Sequence, residues 1–261
     1  MTSVSFLFLL AIMDVVNGYW KPIPLTTWTL QLHGNINTEK NVTMYDIDLW
    51  DASESTIGHL KNVGKKVICH FSAGTYEEWR LDENLFPNSV KGNKLQNWMR
   101  ERWLDIRQIN KLAPAMSARL NLATKKGCDG VELDNVDAYM VNNNRSGFRL
   151  SYNDQLKYNI WLAKEAHQRN LSVGLKNDLD QIKDLVEYFD WALNKQCWEY
   201  KTCDMLQPFI KANKAIFNFE HRTMNRCPQA IQKKFSSIQS PKSLDGRNMK
   251  MCNEQGQLVS F

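Results

Sequence analysis

Short apolar runs recur along the chain, separated by stretches in which apolar positions return every three or four residues, the pattern of parallel strands joined by crossover helices. Eight runs read as strands: residues 28–32, 44–49, 66–71, 130–133, 171–175, 189–193, 215–219 and 235–239. Helical patterns fill most of the gaps. A helix over 53–63 is stopped by Gly64 and one over 113–126 by Gly127, because glycine accepts the left-handed backbone that ends a helix. Ser151 and Asp154 form a capping box that opens a helix running to about Arg169, and its Leu156, Ile160 and Ala163 make a core-facing stripe. Shorter helices fit 181–188, 204–210 and 228–234. Only a short link joins the first two strands. Eight strands with helical crossovers close most simply into one (β/α)8 TIM barrel over residues 19–261, with an open six-stranded sheet plus extra hairpins as the alternative. No GxGxxG follows a strand, which argues against a dinucleotide fold.

Composition narrows the setting. The chain has 261 residues, 43% of them hydrophobic, enough to bury a sizeable core and too many for a disordered chain. A formal charge of +5 without a Lys and Arg block longer than a pair gives nucleic acid nothing to track. The apolar run 4–16 is too short to cross a bilayer and suits a signal-peptide core cleaved near Gly18, although Asp14 interrupts it and no Lys or Arg precedes it. Residues 1–18 are therefore expected to be a signal peptide, and the mature protein to be extracellular and monomeric, with no membrane span.

Six cysteines permit fifteen pairings, and local spacing narrows them. Cys197 and Cys203 enclose a five-residue loop, Cys227 and Cys252 bracket the C-terminal stretch, and Cys69 is left for Cys128. Bridges at these positions fit an oxidising compartment. Sequons at Asn41, Asn144 and Asn170 fit a glycosylated surface.

In a barrel of this kind chemistry collects at the C-terminal ends of the strands. Here those ends read YDIDLWD, CHFSAG, VELDNVD, LKND and NFEH. Alternation puts Glu132 with Asp134 on one face and Asp46 with Asp48 on another. Buried carboxylates need partners, and Lys176 and Arg80 are the candidates. Trp50, Trp79, Trp103, Tyr139 and Trp198 are candidate stacking platforms for sugar rings, a role each must weigh against ordinary core packing. Glu132, Asp134, Asp137 and Asp178 offer oxygen ligands, but no HxH, HExxH or GxSxG occurs, and neither metal nor cofactor is expected.

The blocks WTLQLHG, YDIDLWD, VICHFSAGTYEEWR, ERWLDIR, KGCDGVELDNVDAY, GLKND and QCWEYKTC resemble, in order, those of the endo-α-1,4-polygalactosaminidase-like glycoside hydrolases of family 114. The resemblance implies a secreted (β/α)8 barrel that hydrolyses α-1,4-linked galactosamine-type polysaccharide with two carboxyl groups. It makes Asp134 one catalytic carboxylate. The second is expected just before the Gln-Cys of the sixth strand, where this chain has Lys195. Glycosidic cleavage needs a proton donor for the leaving oxygen, and a lysine ammonium is a weak acid at neutral pH. Glu220, or Glu199, is the candidate stand-in, and the alternative is a catalytically silent carbohydrate-binding protein. Gln31, Asp48, Glu132, Lys176, Asn177, Asp178 and Lys195 are expected to position the amino sugar. His70 and His221 stand where the resemblance leads one to expect tyrosines.

Overall fold

The computed structural model describes residues 18–141, 145–222 and 224–261. The apolar run 4–16 and the sequon asparagine Asn144 lie outside the described residues; Asn41 and Asn170 are exposed.

The eight expected strands form one parallel sheet in sequential order: β1 (Trp28–Gln31), β2 (Met44–Asp48), β3 (Lys66–Ser72), β7 (Gly130–Asp134), β8 (Ser172–Lys176), β9 (Trp191–Lys195), β10 (Ile216–Glu220) and β11 (Ser236–Gln239). This is the (β/α)8 order. The principal crossovers are α1 (Glu54–Asn62), α2 (Ile109–Lys126) and α3 (Tyr152–Gln168), followed by the short helices α4 (Ile182–Leu185), α5 (Cys197–Tyr200), α6 (Gln207–Lys211) and α7 (Cys227–Gln232). The expected caps are present. Ser53 accepts from the Thr56 N–H at the start of α1, and Ser151 and Asp154 cap α3 reciprocally. Gly127 ends α2 at φ 83°. The sequence pattern starts α2 at residue 113, but the helix begins four residues earlier and carries Pro114 in its second turn.

Two apolar clusters follow from strand alternation. Trp28, Leu30, Met44, Ile68, Trp191, Leu193, Phe217, Phe219 and Ile238 fill the barrel, while the opposite faces of the strands pack against the helices. Gly174 makes room for the largest interior group: a Cβ there would lie 2.2 Å from the Trp191 ring.

Two features depart from the simple alternation. Between β3 and α2 the chain inserts a three-stranded antiparallel sheet of β4 (Thr75–Glu77), β5 (Lys91–Leu95) and β6 (Trp98–Leu104). Arg119 of α2 anchors it, donating to Asp82 at 2.7 and 3.0 Å and to the Ser72 carbonyl at 2.5 Å. At the other end of the chain, β12 (Lys250–Cys252) pairs antiparallel with β11 and carries β13 (Leu258–Ser260) outside it. Among the described residues no ladder joins β1 to β11. The Leu32 and His33 N–H groups instead share the Leu244 carbonyl at 2.8 and 3.3 Å, and the Trp28 indole donates to the Ser236 carbonyl at 2.8 Å.

The disulfides are Cys69–Cys128, Cys197–Cys203 and Cys227–Cys252, the pairing that local spacing suggests. No helix among the described residues is long and apolar enough to cross a membrane.

Candidate active site

The C-terminal ends of the strands and the inserted sheet enclose a cavity of about 450 Å³. Its barrel wall comes from Asp48, His70, Asp134, Lys176, Lys195 and Phe219, and its outer wall from Glu77, Trp79, Arg80, Trp98 and Glu101. The first set follows from alternation. Residues 46 and 48 of β2, 70 of β3, 132 and 134 of β7, and 176 of β8 all point inward, and the ladders place Asp48 beside His70 and Ser72 beside Asp134.

Asp134 faces the cavity with three partners around it. Its Oδ2 lies 3.4 Å from His70 Nε2, its Oδ1 accepts the Asn135 N–H at 2.9 Å, and Lys176 Nζ stands 3.7 Å away. Burial would push its pKa up, but Lys176, His70 and the Asn135 amide together hold it well below the usual carboxylate range. Burial likewise works against the His70 imidazolium, yet Glu132, Asp134 and Asp48 raise its pKa well above the ordinary histidine value. Lys176 hydrogen-bonds Glu132 beneath it and is kept ionised by Asp134 and Glu132 against the cost of burial. Deeper still, Asp46 is fully buried, and burial together with Glu132 drives its pKa well above normal. The stack thus runs from Asp46 through Glu132 and Lys176 to Asp134, with the ammonium set between the two carboxyl groups of β7.

Asp48 also faces the cavity, but its oxygens are spent. Arg80 binds both, at 3.1 and 2.6 Å, and the Trp50 and Asp51 N–H groups donate to Oδ1. Asp48 therefore orients Arg80, which stacks 4.4 Å over Trp50 and also donates to Glu77 at 3.1 Å. Asn177 lines the cavity and accepts the Lys195 N–H at 3.0 Å. Lys195 projects from the end of β9; partial burial and the nearby Lys176 and Lys242 lower its pKa.

Three bends recur around this wall. Asn135, Asn177 with Asp178, and Gln196 all have positive φ, each directly after an inward-facing residue of β7, β8 and β9. A left-handed residue there turns the chain away as soon as Asp134, Lys176 or Lys195 has been presented, and Asn and Asp tolerate that conformation best after glycine.

Not every expected site residue comes to the cavity. Gln31 is on the opposite face of β1 from Trp28 and Leu30, and its amide bonds the backbone of His33, Asn35 and Asn37. Glu220 is on the opposite face of β10 from Phe217 and Phe219, accepting from Asn218 and the Trp198 N–H. Glu199 bonds Gln196 and Arg222 away from the wall. Asp178 lies behind β8, bonded by Asn159 at 2.8 Å, and burial with the neighbouring Asp137 raises its pKa to about 8. Glu132 is completely buried and reaches the site only through Lys176. Of the candidate aromatics, Trp79 lines the cavity; Trp50 sits behind Arg80, Trp198 packs on Phe235 and Tyr139 on Tyr152. Among the described residues no group of three or more His, Cys, Asp or Glu side chains is placed to hold a metal ion.

The sequence reading assigns no role to Glu77, Trp98 or Glu101, because β4 to β6 do not read as strands. The available signal was the alternation T-x-E at 75–77 and E-x-W at 101–103, each too short to stand as a strand alone.

A family model described as glycoside-hydrolase family GH114 matches residues 11–257. The crystal structure of Aspergillus fumigatus Ega3 in complex with galactosamine superposes with a TM-score of 0.82 at 34% identity, covering 89% of this chain and 97% of that one. The glycoside hydrolase domain of PelA from Pseudomonas aeruginosa shares the fold, with a TM-score of 0.66 at 12% identity over 84% of this chain and 96% of that one. A search of curated proteins gave no match.

Proposed function

The chain belongs to glycoside-hydrolase family GH114, and from that premise we propose that it is an extracellular hydrolase of α-1,4-linked galactosamine polymers in which Asp134 attacks the anomeric carbon. The observation that carries this reading is Asp134 itself, an ionised carboxylate facing a sugar-sized cavity with Lys176 and His70 at its back. A carboxylate held so far below its usual pKa is a poor proton acceptor. It suits stabilisation of an oxocarbenium-like centre and covalent attack, and attack by Asp134 followed by attack of water retains the anomeric configuration. The relative at 34% identity was solved with galactosamine, and the ionised Asp134 offers a cationic amino sugar a counter-charge in the cavity. Trp79 and Trp98 at the mouth, 40% and 58% exposed, offer flat faces for further sugar rings. Three disulfides support an extracellular setting.

Lys195 motivates a second reading, a carbohydrate-binding protein that has kept the cavity and lost the reaction. Product release from an α-1,4-linked galactosamine polymer separates the two. The hydrolase reading expects oligomers from the wild type, released with retention by NMR of the fresh product, and a loss of about 10⁴-fold in Asp134→Asn. Binding without release, or full activity in Asp134→Asn, would sink it. Activity that appears only in Lys195→Glu would establish the silent reading.

A further inference from the structure

We propose that Glu101, carried into the cavity by the inserted sheet, is the general acid and base that works with Asp134, in place of the carboxylate missing at position 195. The proposal rests on the hydrolase reading above.

Glu77 and Glu101 are direct partners across the β4–β6 ladder, two carboxylates on one face of a sheet that closes the cavity. Like charges so placed repel, and one is relieved by protonation or by a cation. The cations go to Glu77: Arg80 lies at 3.1 Å and Arg119 at 3.6 Å. Among the described residues Glu101 has no ion-pair partner, although only 9% of it is exposed. Its Oε2 accepts a neutral hydroxyl, Thr75 Oγ1, at 2.9 Å.

The same hydroxyl ties Glu101 to Asp134. Thr75 Oγ1 lies 2.5 Å from Ser72 Oγ, and Ser72 is the ladder partner of Asp134. Asn135, which follows Asp134 and donates its backbone N–H to it, reaches back with its side-chain amide to Ser72 at 3.0 Å and Thr75 at 3.4 Å. A frame of three short polar side chains therefore fixes the separation of the two carboxyl groups. Gly74 lets that frame close: a Cβ there would lie 1.6 Å from the Asn135 carbonyl oxygen.

The charge states then divide as the reaction requires. Burial, with Glu77 and Asp134 nearby, raises Glu101 to about 7, whereas Asp134 stays ionised. One protonated and one ionised carboxyl in the same cavity are the acid and nucleophile of a retaining glycosidase. In the first step an Asp134 oxygen bonds the anomeric carbon as the glycosidic C–O bond breaks. The electron pair of that bond stays on the leaving oxygen, which takes the Glu101 proton. In the second step water bonds the anomeric carbon and gives a proton to the Glu101 carboxylate, and the bond to Asp134 breaks. Both groups return to their starting states.

The test compares the wild type, Glu101→Gln and Asp134→Asn on the polymer and on 2,4-dinitrophenyl α-galactosaminide, whose leaving group needs no proton. Glu101→Gln is expected to lose roughly 10²- to 10⁴-fold on the polymer. It should still release dinitrophenolate in a burst, and azide should restore its turnover; Asp134→Asn should fail on both substrates. Polymer hydrolysis at the wild-type rate by Glu101→Gln, or equal loss on both substrates without azide rescue in a folded variant, overturns the proposal. If the variant does not fold, the wild type decides. An alkaline limb of kcat/KM near pH 7 on the polymer but not on the aryl substrate supports Glu101, and one profile on both overturns it. A wild type inert toward both substrates would instead remove the hydrolase reading on which the proposal rests.

Discussion

Asp134 has Lys176 within 3.7 Å and His70 within 3.4 Å, whereas Asp178, one strand away, has the Asn159 amide and a like-charged neighbour in Asp137. The first is ionised throughout the working range and the second holds a proton to about pH 8. Asp178 ionises near pH 4 once unfolded, so between roughly pH 4 and 8 the folded state binds a proton that the unfolded state has released, and its contribution to stability declines as pH rises through that window. Asp178→Asn keeps an acceptor for Asn159 without titrating. Urea unfolding at a series of pH values should show the variant gaining on the wild type from about pH 4 to 8 and levelling above; a difference constant with pH would refute the assignment. Asp134, Asp48 and Lys176 were legible in the sequence because polar residues at inward positions of parallel strands stand out. The faces taken by Gln31 and Glu220 were not legible, because such strands are buried on both faces and a one-residue displacement moves a side chain from the cavity to the helical layer.

The barrel strands and long helices could be read from periodicity and capping, because each has an apolar face repeated over several turns or residues. The inserted sheet could not. Its β5 and β6 read KGNKL and WMRERWL, without a clean apolar alternation and half exposed, and β4, β5 and β6 pair with one another rather than with the barrel. The outer wall of the cavity, with Glu77, Trp98 and Glu101, belongs to this element, so the sequence yielded the barrel wall and concealed the other. Its seating is testable through Gly74→Ala. The new methyl group must push the Asn135 backbone and β4 apart, at a cost of roughly 1–3 kcal/mol. Thermal melting should fall and polymer turnover should fall with it, since Thr75 and Asn135 both move. An unchanged melting temperature and unchanged turnover would show that the close approach has no role.

Across the whole molecule the three disulfides close loops of very different size, with sequence separations of 59, 25 and 6 residues. Chain entropy ranks their contributions at roughly 4, 3.5 and 2 kcal/mol. Double Cys→Ala variants unfolded in denaturant should follow that order, with Cys69/Cys128 the most costly; a larger loss at Cys197/Cys203 would contradict it. The bridge between Cys227 and Cys252 has a second consequence. Among the described residues no ladder joins β1 to β11, and an uncovered β11 would offer a row of free backbone donors and acceptors, the kind of border that recruits strands from other molecules into aggregates. The C-terminal hairpin occupies that border and presents only three residues of β13 at its own rim. By tethering β12 to α7, the bridge keeps this guard in place, and a reducing environment would endanger the protein's solubility as well as its fold.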